Sequence, residues 1–343
     1  MTRKPKILLI YTGGTIGMIK DYESKALKAF DFNNLHNNIP ELNQIECHIE
    51  TISFENPIDS SNMSIKYWID IVETIEKFYD KKDGFVVLTG SDTMSYTSSA
   101  ISFMVENLTK PIIFTGSQLP IGDLRTDAKE NLITAIQIAA ARDKNNLPVI
   151  TEVGLYFEYK LYRANRTTKV NAEQFEAFAS PNYPCIAESG VHLKFNNHLL
   201  WKSKKNKNLI VRKKLEDGIV ILKLFPSITK QVVQSILEIP NLKGVVLETY
   251  GSGNAPTEKW FIELLNRALQ KGIYIVDITQ CIGGGVILGQ YETSTQLEKI
   301  GLINGKDMTT ESAIAKLMYL LGENISRKDF KTIFETSLRG EMN

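Results

Sequence analysis

Ile7-Leu8-Leu9-Ile10-Tyr11-Thr12-Gly13-Gly14-Thr15-Ile16-Gly17 is an apolar run that ends in paired glycines. A run this short, closed by such a turn, reads as a fully buried strand. Two further stretches repeat the design. Phe85-Val86-Val87-Leu88 leads into Thr89-Gly90-Ser91-Asp92-Thr93, and Ile112-Ile113-Phe114 leads into Thr115-Gly116-Ser117-Gln118. Each strand ends in Thr-Gly followed by hydroxyl or carboxylate side chains. If the three are parallel neighbours, their turns share the carboxyl edge of one sheet, where open α/β folds place ligands. That edge is the expected site.

Working outward, Ile45 to Ile52 alternates as a strand and runs into the turn formers Asn56 to Asn62. Ser64 then caps a helix with Trp68, Ile71, Val72, Ile75 and Phe78 on one face. A strand–helix–strand order of this kind implies parallel pairing. Further helices are expected from Ser91–Thr93 and from about Thr126, followed by a strand at Val153 to Phe157. Arg163 to Lys169 is a polar, basic stretch inside an otherwise apolar domain. Met18 to Asn38 is polar and irregular, which fits either a lid over the site or surface slack.

At 343 residues the chain is long enough for two domains. Lys202 to Lys214 is rich in Lys, Asn and Arg. Single-strand nucleic-acid binders interleave aromatics among such charges, and none occurs within this run, so it reads as a linker. The expected division is 1–200, a basic linker over 201–214, and 215–343. The first part is a larger open, mostly parallel sheet with flanking helices. The second is a smaller α/β domain with strands at Ile219–Phe225, Gly244–Leu247 and Ile273–Ile278. Its helices are expected at Thr229–Leu237 and Pro256–Gln270, with two more from Glu311 and Lys328. Forty basic residues against thirty-nine acidic ones exert no general pull on nucleic acid or anionic membranes. Cys47, Cys185 and Cys281 are odd in number and widely spaced, which suits a reducing compartment. The apolar run behind the basic start is too short for a signal peptide, and no stretch is apolar for the length of a bilayer. A cytoplasmic protein with no nucleic-acid or membrane partner is expected.

The chemistry narrows as follows. Gly13-Gly14-Thr15-Ile16-Gly17 lacks G-x-G-x-x-G spacing, and no G-K-[ST] occurs, so a nucleotide cradle has little support. A hydroxyl nucleophile fits better. Thr15 follows two glycines that let the backbone turn sharply and leave N–H groups free for an oxyanion. It needs a partner to take its proton. His36, His48, His192 and His198 all lie outside the three turns, which disfavours a Ser-His-Asp triad. A desolvated lysine is the other available base, and Lys169 is the candidate, with Ser91 relaying the proton. Asp92 then holds the lysine or a substrate ammonium group. Each side chain also has an ordinary reading, Thr15, Ser91 and Asp92 as helix caps and Lys169 as a solvated charge. Three like turns at one edge favour the joint reading. Gly283-Gly284-Gly285 reads as a loop. Tyr250-Gly251-Ser252-Gly253-Asn254-Ala255-Pro256 reads as a turn into a helix, placed to reach a partner subunit's site.

Thr12-Gly13-Gly14-Thr15-Ile16-Gly17 together with Gly90-Ser91-Asp92-Thr93-Met94 resembles the paired signatures of the bacterial L-asparaginase family, type I cytoplasmic branch. The resemblance continues through Thr115-Gly116-Ser117-Gln118, Asn165-Arg166-Thr167-Thr168-Lys169 and Tyr250 to Pro256, and ends at Leu338-Arg339-Gly340-Glu341. It implies hydrolysis of L-asparagine to L-aspartate and ammonia through a covalent acyl-enzyme, with no metal or organic cofactor. It also implies a two-domain protein that assembles as a homotetramer of intimate dimers. Thr15 matches the nucleophilic threonine, Ser91 the second catalytic threonine, Asp92 its neighbouring aspartate, and Lys169 the lysine. Asp59, Ser60 and Ser61 match the segment that holds the substrate α-carboxylate. Asp92 matches the group for the α-amino end, and Ser117 lies near the side-chain amide.

Three positions depart from the pattern. The usual His-Gly-Thr-Asp is here Thr89-Gly90-Ser91-Asp92, which keeps the hydroxyl but loses a rotamer-restricting methyl. The lid loop normally carries Gly-Tyr where this chain has Ser24-Lys25-Ala26-Leu27, leaving Tyr22 as the nearby tyrosine to activate Thr15. Glu248 stands where some type I enzymes have a basic residue, which weighs against an asparagine effector site. The rivals are a broader glutaminase-asparaginase, an amidase domain feeding ammonia to a partner, and a non-catalytic amino-acid-binding protein on the same fold. A nucleotide-binding oxidoreductase is the remaining one.

Overall fold

The strand β1 (Lys6–Gly13) buries Ile7, Leu8, Leu9 and Ile10 completely. A strand with no polar face is stable only in the middle of a sheet covered on both sides. β1 accordingly lies between β2 (His48–Ile58) and β3 (Gly84–Leu88), parallel to both. The computed structural model describes residues 3–20, 27–29, 39–202, 207–289 and 292–343. They fall into two units, Met1–Lys213 and Lys214–Asn343.

In the first unit α1 (Ile65–Phe78) turns Trp68, Ile71, Val72 and Ile75 inward and joins β2 to β3. Its Ser64 occupies the capping position without a side-chain cap bond. After β3 come α2 (Met94–Met104), β4 (Ile112–Thr115), α3 (Ala128–Ala140) and β5 (Val153–Phe157). The short strands β6 (Lys160–Arg163), β7 (Thr168–Lys169), β8 (Phe178–Ala179), β9 (Ala187–Ser189) and β10 (Leu193–Phe195) complete the unit's main elements. The large sheet runs β10-β9-β6-β5-β4-β3-β1-β2. From β2 through β5 every pairing is parallel, and β6, β9 and β10 extend it antiparallel. Tyr11 pairs with Leu88 and Leu88 with Thr115, so the three glycine turns leave the sheet in step.

Two local outcomes differ from the pattern reading. β2 runs on through Pro57 to Ile58, where a turn is expected. It is an edge strand, so the missing proline N–H costs the sheet no second ladder. The α2 helix, expected from Ser91–Thr93, begins at Met94 and is buried on nearly all sides because its polar residues are mostly small serines and Thr97. Within 201–214, Ile210–Val211 pair antiparallel with Val105–Glu106.

The second unit has the parallel order β11 (Ile219–Lys223), β12 (Gly244–Thr249), β13 (Tyr274–Thr279) and β14 (Ile303–Asn304). Helices α4 (Lys230–Leu237), α5 (Lys259–Gln270), α6 (Glu292–Ile300), α7 (Thr310–Gly322) and α8 (Arg327–Phe334) surround it. Thr229 and Thr309 cap α4 and α7 with their hydroxyls. Val245, Leu247, Phe261, Leu265 and Ile275 form the centre of its core, each fully buried. The sequence reading misses α6 and β14; α6 is mostly polar and anchors through the buried Leu297. Among the described residues no helix is long and apolar enough to cross a membrane.

Candidate active site

Two of the threonines that precede the glycines serve the sheet. Thr12 Oγ1 donates to the Leu88 carbonyl at 2.9 Å, and Thr115 Oγ1 donates to the Tyr156 carbonyl at 2.9 Å. Both are fully buried. Thr15, Ser91 and Ser117 follow those glycines in the three turns.

Those turns pack tightly. A Cβ on Gly14, at φ +87°, would lie 2.3 Å from the Gly90 nitrogen. One on Gly90 would lie 2.4 Å from Ser60 Oγ. The turns after β1, β2 and β3 therefore meet where only glycine fits. Thr15 opens a 3-10 turn, Thr15–Gly17, and is half-buried. Among the described residues its hydroxyl has no hydrogen-bond partner. Beneath it the Tyr11 hydroxyl donates to the Gly14 and Gly17 carbonyls, both at 3.4 Å. Burial pushes the Tyr11 phenol up to about 12, so it remains a neutral donor supporting that turn. Tyr11 drew no notice in the sequence reading because it sits in the apolar run.

Ser91 and Lys169 come together as expected. Lys169 Nζ lies 2.9 Å from Ser91 Oγ and 2.7 Å from Asp92 Oδ1. The Lys169 side chain is 18% exposed and that of Asp92 is 68% exposed, so the pair spans the site wall and its mouth. Lys169 sits on β7, which pairs with β8 at Phe178. Just before it, Thr167 Oγ1 lies 3.2 Å from Ser95 Oγ of α2 and donates to the Ala164 carbonyl at 2.7 Å. That link holds the lysine-bearing segment against the helix that follows Ser91.

The other expected residues divide. Asp59 accepts the Ser61 N–H at 2.9 Å, and this hydrogen bond holds its carboxyl below the usual range. Ser60 is buried, with its carbonyl accepting Thr93 Oγ1 at 2.8 Å, while Ser61 is exposed. Ser117 is buried and donates its hydroxyl to the Leu119 carbonyl at 2.6 Å, a turn-closing bond. Tyr22 and Ser24-Lys25-Ala26 lie outside the described residues, and Leu27 belongs to a short strand, Leu27–Ala29, paired with Met18–Lys20.

Two residues without an assigned role prove central. Gln118 Oε1 accepts the Ser91 hydroxyl at 3.1 Å. The Asp127 carboxylate accepts the backbone N–H groups of Gln118 and Leu119 and the side-chain amide of Asn131. Burial raises the Asp127 carboxyl in spite of those donors. An acidic residue at a helix start ordinarily caps its own helix; here the carboxylate reaches back across the turn, which spacing alone does not reveal.

In the second unit Glu248 is buried, accepts Thr310 Oγ1 at 2.7 Å and pairs with Lys223 at 3.1 Å. Tyr250 and Asn254 close the turn after β12 through a pair of backbone bonds. Among the described residues no three His, Cys, Asp or Glu side chains form a metal-binding group.

Comparison with known proteins matches both units. Residues 6–201 match the family model described as Asparaginase, N-terminal, and residues 218–334 the Glutaminase/Asparaginase C-terminal domain. L-asparaginase 1 of Escherichia coli K12 is 41% identical over 99% of this chain and 98% of its own. The crystal structure of L-asparaginase I from Vibrio cholerae is 37% identical, with a TM-score of 0.90 over 99% of this chain and 100% of that one. The thermostable L-asparaginase from Thermococcus kodakarensis is 30% identical, with a TM-score of 0.88 over 98% of this chain and 99% of that one. Likeness of this degree runs end to end through both units, and the chain belongs to the asparaginase family.

Proposed function

We propose that the protein hydrolyses the side-chain amide of L-asparagine, releasing ammonia and L-aspartate, with Thr15 as nucleophile. The observation that carries this reading is the contact of Lys169 with both Ser91 and Asp92, in a turn packed on the one that bears Thr15. Thr15 Oγ1 attacks the amide carbon while its proton passes to Ser91, and the Ser91 proton passes to Lys169 in its neutral form. The proton returns to the departing nitrogen, which leaves as ammonia. Water then cleaves the Thr15 ester and restores the hydroxyl. Lys169 Nζ contacts both Ser91 and Asp92, which holds the amine beside the hydroxyl whose proton it takes. Asp92 meets Lys169 through Oδ1, and its exposed carboxylate has a second oxygen for the substrate ammonium group.

Asp59, Ser60 and Ser61 are assigned to the substrate α-carboxylate, through the hydroxyl of the exposed Ser61. Ser117 shapes the amide end of the pocket through its turn. Tyr22 is assigned to the activation of Thr15. The enzyme is assigned to the cytoplasm as a homo-oligomer, on the likeness to type I enzymes.

The test is ammonia release from wild type and Thr15→Val, with asparagine and with glutamine over a range of concentrations. Asparagine turnover in the wild type, reduced by on the order of a thousandfold or more in the variant, is expected. Retained turnover in Thr15→Val overturns the nucleophile. A wild type silent on both amides overturns the enzyme reading in favour of a binding protein. Glutamine differs by one methylene, so asparagine should be preferred by about 10–200-fold.

A further inference from the structure

Gln118 is held at both ends. Its backbone N–H meets both Asp127 oxygens, at 3.1 and 2.9 Å. Its side-chain Nε2 donates to the carbonyls of Ala172, at 3.2 Å, and Gln174, at 3.1 Å. Both partners are acceptors only, so the NH₂ group must face them and Oε1 must face Ser91. The direction of the remaining bonds follows. Oε1 cannot donate, so the Ser91 hydroxyl gives its single proton to Gln118 at 3.1 Å, and Lys169 Nζ donates to Ser91 at 2.9 Å.

We infer that Gln118 is a positioning residue for the Ser91 hydroxyl, an inference that rests on Ser91 acting as the proton relay. A threonine side chain is restricted at χ1 by its second γ substituent, and serine has no such restriction. Here two hydrogen bonds from opposite sides, from Lys169 and to Gln118, hold the oxygen in one rotamer. They supply in this chain the constraint that a methyl group would. During the relay Ser91 receives the Thr15 proton and passes its own to Lys169, one proton in and one out. Its hydroxyl hydrogen therefore turns from Gln118 to Lys169 while the oxygen stays in place. A cavity of about 610 Å³ lined by Gln118, Leu119, Arg125, Gln174 and Phe175 lies beside this glutamine. The Gln118 side chain lines that space, so the informative substitution preserves its length.

The experiment is a cycle of Gln118→Met, Ser91→Thr and the double variant, with kcat and KM for asparagine and a crystal structure of Gln118→Met. Gln118→Met is expected to lower kcat about tenfold with KM changed less than about twofold, the loss of one positioning hydrogen bond. In the Ser91→Thr background the same change should lower kcat less than about threefold, because the methyl restores the constraint. The crystal structure should show Ser91 in more than one rotamer. Equal kcat losses in the two backgrounds overturn the inference, as does a single, unchanged Ser91 rotamer. A wild type inactive on asparagine overturns the functional reading instead, and the Ser91 rotamer then decides the role of Gln118 by itself.

Discussion

The position a Gly14 Cβ would occupy lies 2.3 Å from the amide nitrogen of Gly90. The turn bearing Thr15 and the turn bearing Ser91 are thus packed backbone to backbone. Gly14→Ala should force them apart and strain a backbone at φ +87° besides. We expect a stability loss of about 1–3 kcal/mol, and a disproportionate fall in kcat, because the hydroxyls separate. Urea denaturation beside steady-state kinetics checks it; unchanged kcat would mean that the two hydroxyls work independently.

Lys169→Met keeps an unbranched side chain, one atom shorter than lysine, and removes the amine that contacts Ser91 and Asp92. The kcat for asparagine should fall by about 10²–10⁴-fold. A change below about threefold would move the base to another residue, with Tyr22 the next to test.

Lys316 and Glu341 form an ion pair with no solvent exposure on either side chain. Burial pushes the Lys316 ammonium down to about 8. Burial also works against the Glu341 carboxylate, yet Lys316 and the N–H groups of Leu338 and Arg339 hold it below its ordinary value. Lys316→Met leaves that carboxylate buried without its cation, at a cost of about 3–5 kcal/mol. Adding Glu341→Gln should recover part of the loss, and a full additive loss in the denaturation midpoint would contradict the coupling.

Asp277 is fully buried on β13, where Thr249 Oγ1 donates to Oδ1 at 2.7 Å. Burial pushes its carboxyl up to about 7. The folded state therefore keeps a proton that the unfolded chain releases near pH 4, and this contribution to stability is lost as pH rises toward 7. Asp277→Asn cannot ionise, so its midpoint should gain on the wild type between pH 4 and pH 8. A difference between the two that stays constant over that range would show that Asp277 does not titrate there.

Much of this was legible in residue order. Ile7 to Ile10 leaves no polar face, which compels a central buried strand, and the recurrence of Thr-Gly after Leu88 and Phe114 aligns three turns. Ser91, Asp92 and Lys169 were legible as chemistry because a hydroxyl, a carboxylate and an amine are each costly to gather by chance at one edge. Gln118 was visible in its motif without a role, since an amide side chain becomes informative only when its partners are known. Asp127 read as an ordinary helix start, and α6 was too polar to announce itself.

The sequence by itself determined the α/β class and pointed to the carboxyl edge of the sheet and a hydroxyl–lysine pairing there, because strand periodicity and turn residues are local properties. Only the tertiary structure decided that Lys169 reaches Ser91 from 78 residues away and that Gln118 fixes the direction of the Ser91 proton. It alone shows that Thr12, Thr115 and Ser117 spend their hydroxyls on carbonyls. Hydrogen-bond partnership depends on distances across strands and loops, and those distances exist only once the sheet has brought the turns together.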